Sequence, residues 1–489
     1  VTVPDPNYLF GLRKDQAALD AIREAIKGKR RVILHLHGGL SAPDDVTKDL
    51  GPQLLEHLFQ PRWFADTHVC FVIYETSPFQ LLNIKRIFRN IVSDATQGEL
   101  LEWLSGKLGG EKSSERDIAA RASAELERLA QLAGSSGGNL KSVADGELTA
   151  EDETRLAEVL HETDTLIAQC DADLLANATR AQVAVAGPKG LGSGWGLEAA
   201  KAVVRTLKRF HKHIDHGPTT IVEELMRCDL LLAAGLDSVA QGHWDSVKEN
   251  ARDCWIEGSD GFALLKLLAD EARSRGPDAP LSVSLMCHSA GSLAVCEAVS
   301  ALDRVRRMYP TFGFDALVFV APAVQTKLFH DAIITRLGDG YGSVWLYTLS
   351  DFAETKDDLL GGVYPRSLLY LVSGVAEAKG GGDMMLLGLE RHFVDGRWPY
   401  SDAGFEARNK GTFGPLRAIR EFIGDEKKLN LVISPTPRSE TRPGRCADAT
   451  THENSKLVLE SPVLAASLVH TLTAGVHAPT ADQILHPAP

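Results

Sequence analysis

Cysteine is scarce in this 489-residue chain, and paired cysteine motifs are absent. Cys70, Cys170, Cys228, Cys254, Cys287, Cys296 and Cys446 form an odd set with no C-x-x-C spacing. That argues against a disulfide framework and for reduced, mostly buried thiols in a reducing compartment. Long apolar runs are lacking too. None approaches the ~18 residues that a membrane span requires, so no integral membrane segment is expected. Basic runs are also missing. Lys+Arg 52 against Asp+Glu 65 leaves a formal charge of −13. Such a field repels polyanions, and nucleic acid is not expected as a partner. The chain opens VTVPDPNYLF, without Met and without the charged-then-apolar pattern of a signal peptide. The expectation is a cytoplasmic protein, with export after loss of a signal peptide as the alternative.

What is present has the composition of a globular protein, 44% apolar and 24% charged. The length suits one large core with an insertion, or two to three average domains. Residues 14–28 carry apolar positions at helical spacing and lead into RVILHLHGG, a β-branched run ending in glycines. That pattern predicts a buried parallel strand stopping at a turn. A helix around 45–59 and a second buried strand, HVCFVIYET at 68–76, follow. From about 78 to 250 only helical patterns stand out, separated by Gly/Ser-rich joints at GSSGGN and GPKGLGSGWG. The second joint lacks the Lys-Ser/Thr ending of a phosphate loop and reads as a flexible link. A helix around 260–275 rejoins the sheet domain. The strands LSVSLMC, DALVFVAPAV, GSVWLYTLSD and LNLVISPTP come next, with a helix after LSVSLMC and a last helix at 461–473. Strands alternating with helices predict an α/β fold with a doubly wound, mostly parallel sheet. Its catalytic domain would span 1–77 and 251–489, with an all-helical cap at 78–250.

Within SLMCHSAGSLAV, the core Cys287-His288-Ser289-Ala290-Gly291 is one residue short of the nucleophile elbow G-x-S-x-G. Cysteine stands where the first glycine belongs. A serine hydroxyl needs a base, an acid to orient that base, and donors for the oxyanion. A strand-to-helix elbow exposes the hydroxyl at a helix N-terminus. HLHGGL, residues 35–40, adds glycines after an early strand, where backbone can approach a substrate carbonyl closely.

With these motifs the chain resembles the α/β-hydrolase superfamily of serine hydrolases, over roughly 1–77 and 255–489. The resemblance implies an acyl-enzyme on Ser289 and an oxyanion hole from the N–H groups of Ala290 and of Leu40 or Gly39. The family order of nucleophile, acid, base then implies Asp351, directly after a strand, and His452, in the loop before the closing helix. Glu354, Asp357 and Asp358 crowd the same acidic loop and remain alternatives for the acid. His288 is expected to pack. The implied activity is carboxylic-ester hydrolysis on a small-molecule or acyl-chain substrate, with no cofactor and no metal. Amide and thioester bonds need the same triad, and a non-catalytic binding protein of this fold is a further alternative. The chain departs from the family at Cys287 and in an insertion that precedes the nucleophile strand. The pair His35 and His37 invites a metal-hydrolase reading, but the further ligands are not evident, and packing explains His35 more simply.

Overall fold

A computed structural model describes residues 4–39, 42–76, 94–109, 113–135, 148–170, 173, 198–227, 237–276, 278–336, 338–358, 364–377, 382–393, 413–423, 429–453 and 455–486. Leu40 and the joint at 187–196 fall outside them.

Strands β1 (Tyr8–Phe10), β2 (Arg31–Leu36), β3 (Thr67–Ile73), β4 (Ser282–His288), β5 (Phe314–Val320), β6 (Tyr341–Leu349) and β7 (Leu429–Ser434) form one sheet. Their order is β1-β3-β2-β4-β5-β6-β7, and every pairing is parallel. The fold is therefore α/β. Strands β2 to β7 are the apolar runs marked in the sequence. The edge strand β1 was not anticipated, because three residues are too few to carry a period of two.

Buried strands present both faces to side-chain packing, so alternate residues enter two separate cores. Leu34, Leu36, Leu285, Cys287 and Phe319 face one, shared with Gln16–Ala25, Asp260–Arg275 and Gly291–Val305. Ile33, Phe71, Met286, Val320 and Tyr347 face the other, shared with the helical run 43–57 and with Pro462–Leu472. The chain thus leaves β2 across one face of the sheet and leaves β4 across the other. Those two strands are neighbours, with Leu36 opposite Cys287. Their connections diverge at the carboxyl ends, and such a divergence opens the crevice where ligands bind in parallel sheets.

Between β3 and β4 no described residue belongs to a strand of the sheet, and one isolated bridge joins His216 to Pro218. Ahead of Asp260–Arg275, the helices with described bounds are Asp94–Leu108, Glu115–Ser135, Ala150–Thr163, Glu198–Lys212, Thr220–Met226 and Asp237–Asp253. The last runs across the boundary read at residue 250 and packs on Gly291–Val305. Among the described residues, no helix is long and apolar enough to cross a membrane. The six described cysteines are free.

Candidate active site

Ser289 sits between the end of β4 and the helix Gly291–Val305, with a φ of 50°. A non-glycine residue rarely adopts that left-handed conformation, and surrounding structure must hold it there. Here the Ser289 N–H donates to the Val320 carbonyl at 3.0 Å. Its own carbonyl accepts from Ser292 N–H at 3.1 Å, Ala323 N–H at 3.0 Å and the Ser292 hydroxyl at 2.6 Å. Gly291 is sterically required, since a Cβ there would overlap the Leu36 carbonyl oxygen and lie 2.9 Å from that of His37. Cys287 meets no such limit. Its side chain is buried in the core beneath the turn, and burial raises its thiol pKa well above the ordinary value.

The turn after β2 packs directly on this elbow. A Cβ on Gly38 would lie 2.8 Å from His288 Nδ1, and one on Gly39 would lie 3.0 Å from Ala290 Cβ. The N–H of Ala290 makes no hydrogen bond among the described residues. Gly39 and Ala290 therefore meet beside Ser289.

His452 comes from the loop between β7 and Pro462–Leu472, and its Nε2 lies 3.0 Å from Ser289 Oγ. For the hydroxyl to donate, Nε2 must be the bare nitrogen, and Nδ1 carries the proton. Nδ1 faces Glu354 Oε1 at 3.5 Å, longer than a hydrogen bond yet close for an ion pair. Glu354 is fully buried, and neither of its carboxylate oxygens has a hydrogen-bond partner.

Asp351 does not take that place. It begins the short helix Asp351–Lys356, and its Oδ1 accepts from the Tyr370 hydroxyl at 2.6 Å. Its own N–H donates to Glu390 Oε2 at 2.6 Å. The carboxylate facing the imidazole is one helical turn further on, at Glu354, while Asp351 is engaged by Tyr370. Asp357 contributes differently, accepting the backbone N–H of His452 at 2.9 Å. For Asp358 the backbone N–H donates to Asp357 Oδ1 at 2.9 Å.

Three further histidines line this end of the sheet, and burial keeps each neutral. His35 packs against Phe59 and Phe71, and burial followed by the nearby His37 lowers its pKa to about 3. His37 stacks on Tyr74 and is lowered to about 4, mainly by burial. His288 is held well below the ordinary histidine value by burial and then by His452. It does more than pack: its Nε2 donates to the His452 carbonyl at 3.1 Å.

The site is closed. Ser289 is 1% exposed and His452 4%. Trp244, on Asp237–Asp253, is 3.7 Å from where a Gly39 Cβ would be. A groove of about 790 Å³ lies elsewhere, between Gln16–Ala25, Asp260–Arg275 and the end of Gly291–Val305, and no residue of this site lines it.

A second buried cluster had no signal in the sequence. His216 Nδ1 is 2.7 Å from Glu223 Oε1, and its Nε2 is 2.8 Å from Asp383 Oδ1. His392 Nε2 and the Ser373 hydroxyl also approach that oxygen, at 2.9 and 2.8 Å. Arg209 pairs with Glu223 at 2.7 Å. Burial alone would raise both acids, but His216 and Arg209 hold Glu223 down at about 2, and His392, Arg391 and His216 hold Asp383 well below its usual range. This cluster bolts the 198–227 part of the insertion to segment 364–393. It also touches the helix Asp351–Lys356, because Tyr370 packs edge-on against His216 at 4.8 Å while bonding Asp351.

Comparison with protein-family models, curated proteins and solved structures returned no match. The fold and site by themselves define an α/β protein with a serine–histidine–carboxylate constellation at the switch point of a parallel sheet.

Proposed function

We propose that this protein is a serine hydrolase of the α/β-hydrolase type, cleaving carboxylic esters, with Ser289 as nucleophile, His452 as base and Glu354 as acid. One observation carries the reading: an imidazole nitrogen 3.0 Å from a serine hydroxyl on a left-handed strand-to-helix turn. The order nucleophile, acid, base along the chain supports it, as does the glycine turn packed against Ala290.

In this mechanism His452 Nε2 takes the Ser289 proton as Oγ attacks the ester carbonyl. Glu354 keeps the proton on Nδ1 and stabilises the imidazolium. The N–H of Ala290, with a second from the turn at Gly39 and Leu40, receives the oxyanion; one such donor contributes about 2.7–4 kcal/mol. The proton passes to the departing alcohol, and water then releases the acid from the acyl-enzyme. Esters are the bonds this fold most often handles, and hydrophobic acyl groups suit a helical cover.

A second reading, a binding protein that keeps the constellation without turnover, is favoured by the 1% exposure of Ser289. Under the hydrolase reading the cover must move to admit substrate. Incubation with a fluorophosphonate probe and mapping by mass spectrometry separates the two. The expected result is one adduct, on Ser289, lost in Ser289→Ala and strongly slowed in His452→Ala. A folded protein that takes up no probe sinks the hydrolase reading. Nitrophenyl esters against anilides then test the bond preference.

A further inference from the structure

His452 lies in a stretch with neither helix nor strand. A base held only by its own loop would wander, and a misplacement of about 1 Å costs ~10²-fold in rate. The ring contacts to Ser289 and Glu354 are one restraint on it. A second acts on its main chain. The backbone N–H of His452 donates to Asp357 Oδ2 at 2.9 Å, and its carbonyl oxygen accepts from His288 Nε2 at 3.1 Å. Both polar groups of the residue's backbone are therefore gripped by side chains distant in sequence.

Each grip is itself anchored. Asp357 closes the helix Asp351–Lys356, its N–H donating to the Ala353 carbonyl at 3.1 Å, and its Oδ1 accepts from Asp358 N–H at 2.9 Å. It stands three residues after Glu354, so one helical turn presents one carboxylate to the imidazole and another to its backbone. His288 is the last residue of β4 and the chain neighbour of the nucleophile. Its ring lies 5.3 Å from that of His452 and its Nδ1 is buried against Gly38. Since Nε2 faces a carbonyl, that nitrogen carries the ring proton. The elbow, the glycine turn and the base loop thus meet on one imidazole.

We propose that His288 and Asp357 are positioning residues that clamp the main chain of His452 and so keep its Nε2 on the Ser289 hydroxyl. Neither touches the reacting atoms, and neither gains or loses a proton. The inference rests on the reading of Ser289 and His452 as nucleophile and base.

The test is the rate of fluorophosphonate labelling of Ser289 in His288→Phe, Asp357→Ala and Asp357→Asn, read with the 15N spectrum of the imidazoles. Phenylalanine keeps the ring and its packing but removes the donor, and asparagine keeps an acceptor oxygen. His288→Phe and Asp357→Ala are expected to slow labelling by about 10- to 100-fold. Asp357→Asn should stay close to wild type, and thermal midpoints should change little. In the spectrum, His452 should hold a single Nδ1–H tautomer in wild type and average between two in both slow variants. Wild-type labelling rates in His288→Phe and Asp357→Ala would overturn the clamp while leaving the hydrolase reading intact. Wild-type protein that does not label defeats that reading instead. In that case, or if Asp357→Ala does not fold, the His288→Phe spectrum decides: a ring that averages between tautomers supports the clamp, and one that keeps the wild-type tautomer overturns it.

Discussion

Glu354 and Asp351 are three residues apart, carry the same charge and leave the same strand, yet only one faces the imidazole. Removing the negative charge from the acid of such a constellation typically costs about 10⁴-fold in turnover, because the imidazole loses its oriented tautomer. Glu354→Gln should therefore depress turnover or probe labelling on that scale. Asp351→Asn keeps an acceptor for Tyr370 and should leave the rate near wild type. Reversal of the two results would restore Asp351 as the acid. The sequence made serine 289 legible through small residues at the right spacing and a strand before it. Choosing among four acids in DFAETKDD was beyond it, since the choice depends on which side chain of a short helix meets His452, a residue in a loop after β7. His288 was read as packing for the same reason: its partner is a carbonyl 164 positions away.

Strands and long helices were mostly legible, because burial imposes a period that a single chain displays. Six of the seven strands follow that rule, and the three-residue edge strand escapes it. The polar contacts between elements escape it too. Asp383 gathers His216, His392 and the Ser373 hydroxyl around one oxygen, joining the insertion to the sheet domain with side chains that look solvent-facing in the sequence. Breaking a buried pair strands its partners, at a cost of about 3–5 kcal/mol. Asp383→Asn should lower unfolding free energy by about that amount in urea titrations. A change under ~1 kcal/mol would show the cluster to be loosely hydrated rather than a bolt. Among the described residues of 78–250, Trp244 approaches the glycine turn, 3.7 Å from where a Gly39 Cβ would be.

At the scale of the molecule, the neutral histidines set a pH limit on stability. His35 and His37 titrate at about 3 and 4 in the folded protein, and His288 lies well below its ordinary value. In the unfolded chain each titrates at ~6.5. Between those limits the unfolded state binds protons that the folded state refuses, so stability falls as pH drops below about 6.5 and is fully present above it. Each such histidine adds up to ~1.4 kcal/mol per pH unit to the slope. Urea midpoints should therefore drop from pH 7.5 to pH 5, and His35→Phe should flatten the slope by one proton's share. Midpoints equal at the two pH values would contradict the burial of these rings as neutral groups. The amino-acid sequence alone pointed to the α/β class, the order of the elements, the turn around Ser289 and the loop histidine His452, because all of these are written in local patterning and in order along the chain. Only the tertiary structure decided which carboxylate faces the His452 imidazole, what grips its backbone, where residues 198–227 are bolted and that the serine lies covered. Those depend on distances between residues far apart in the chain, which packing sets and no local pattern records.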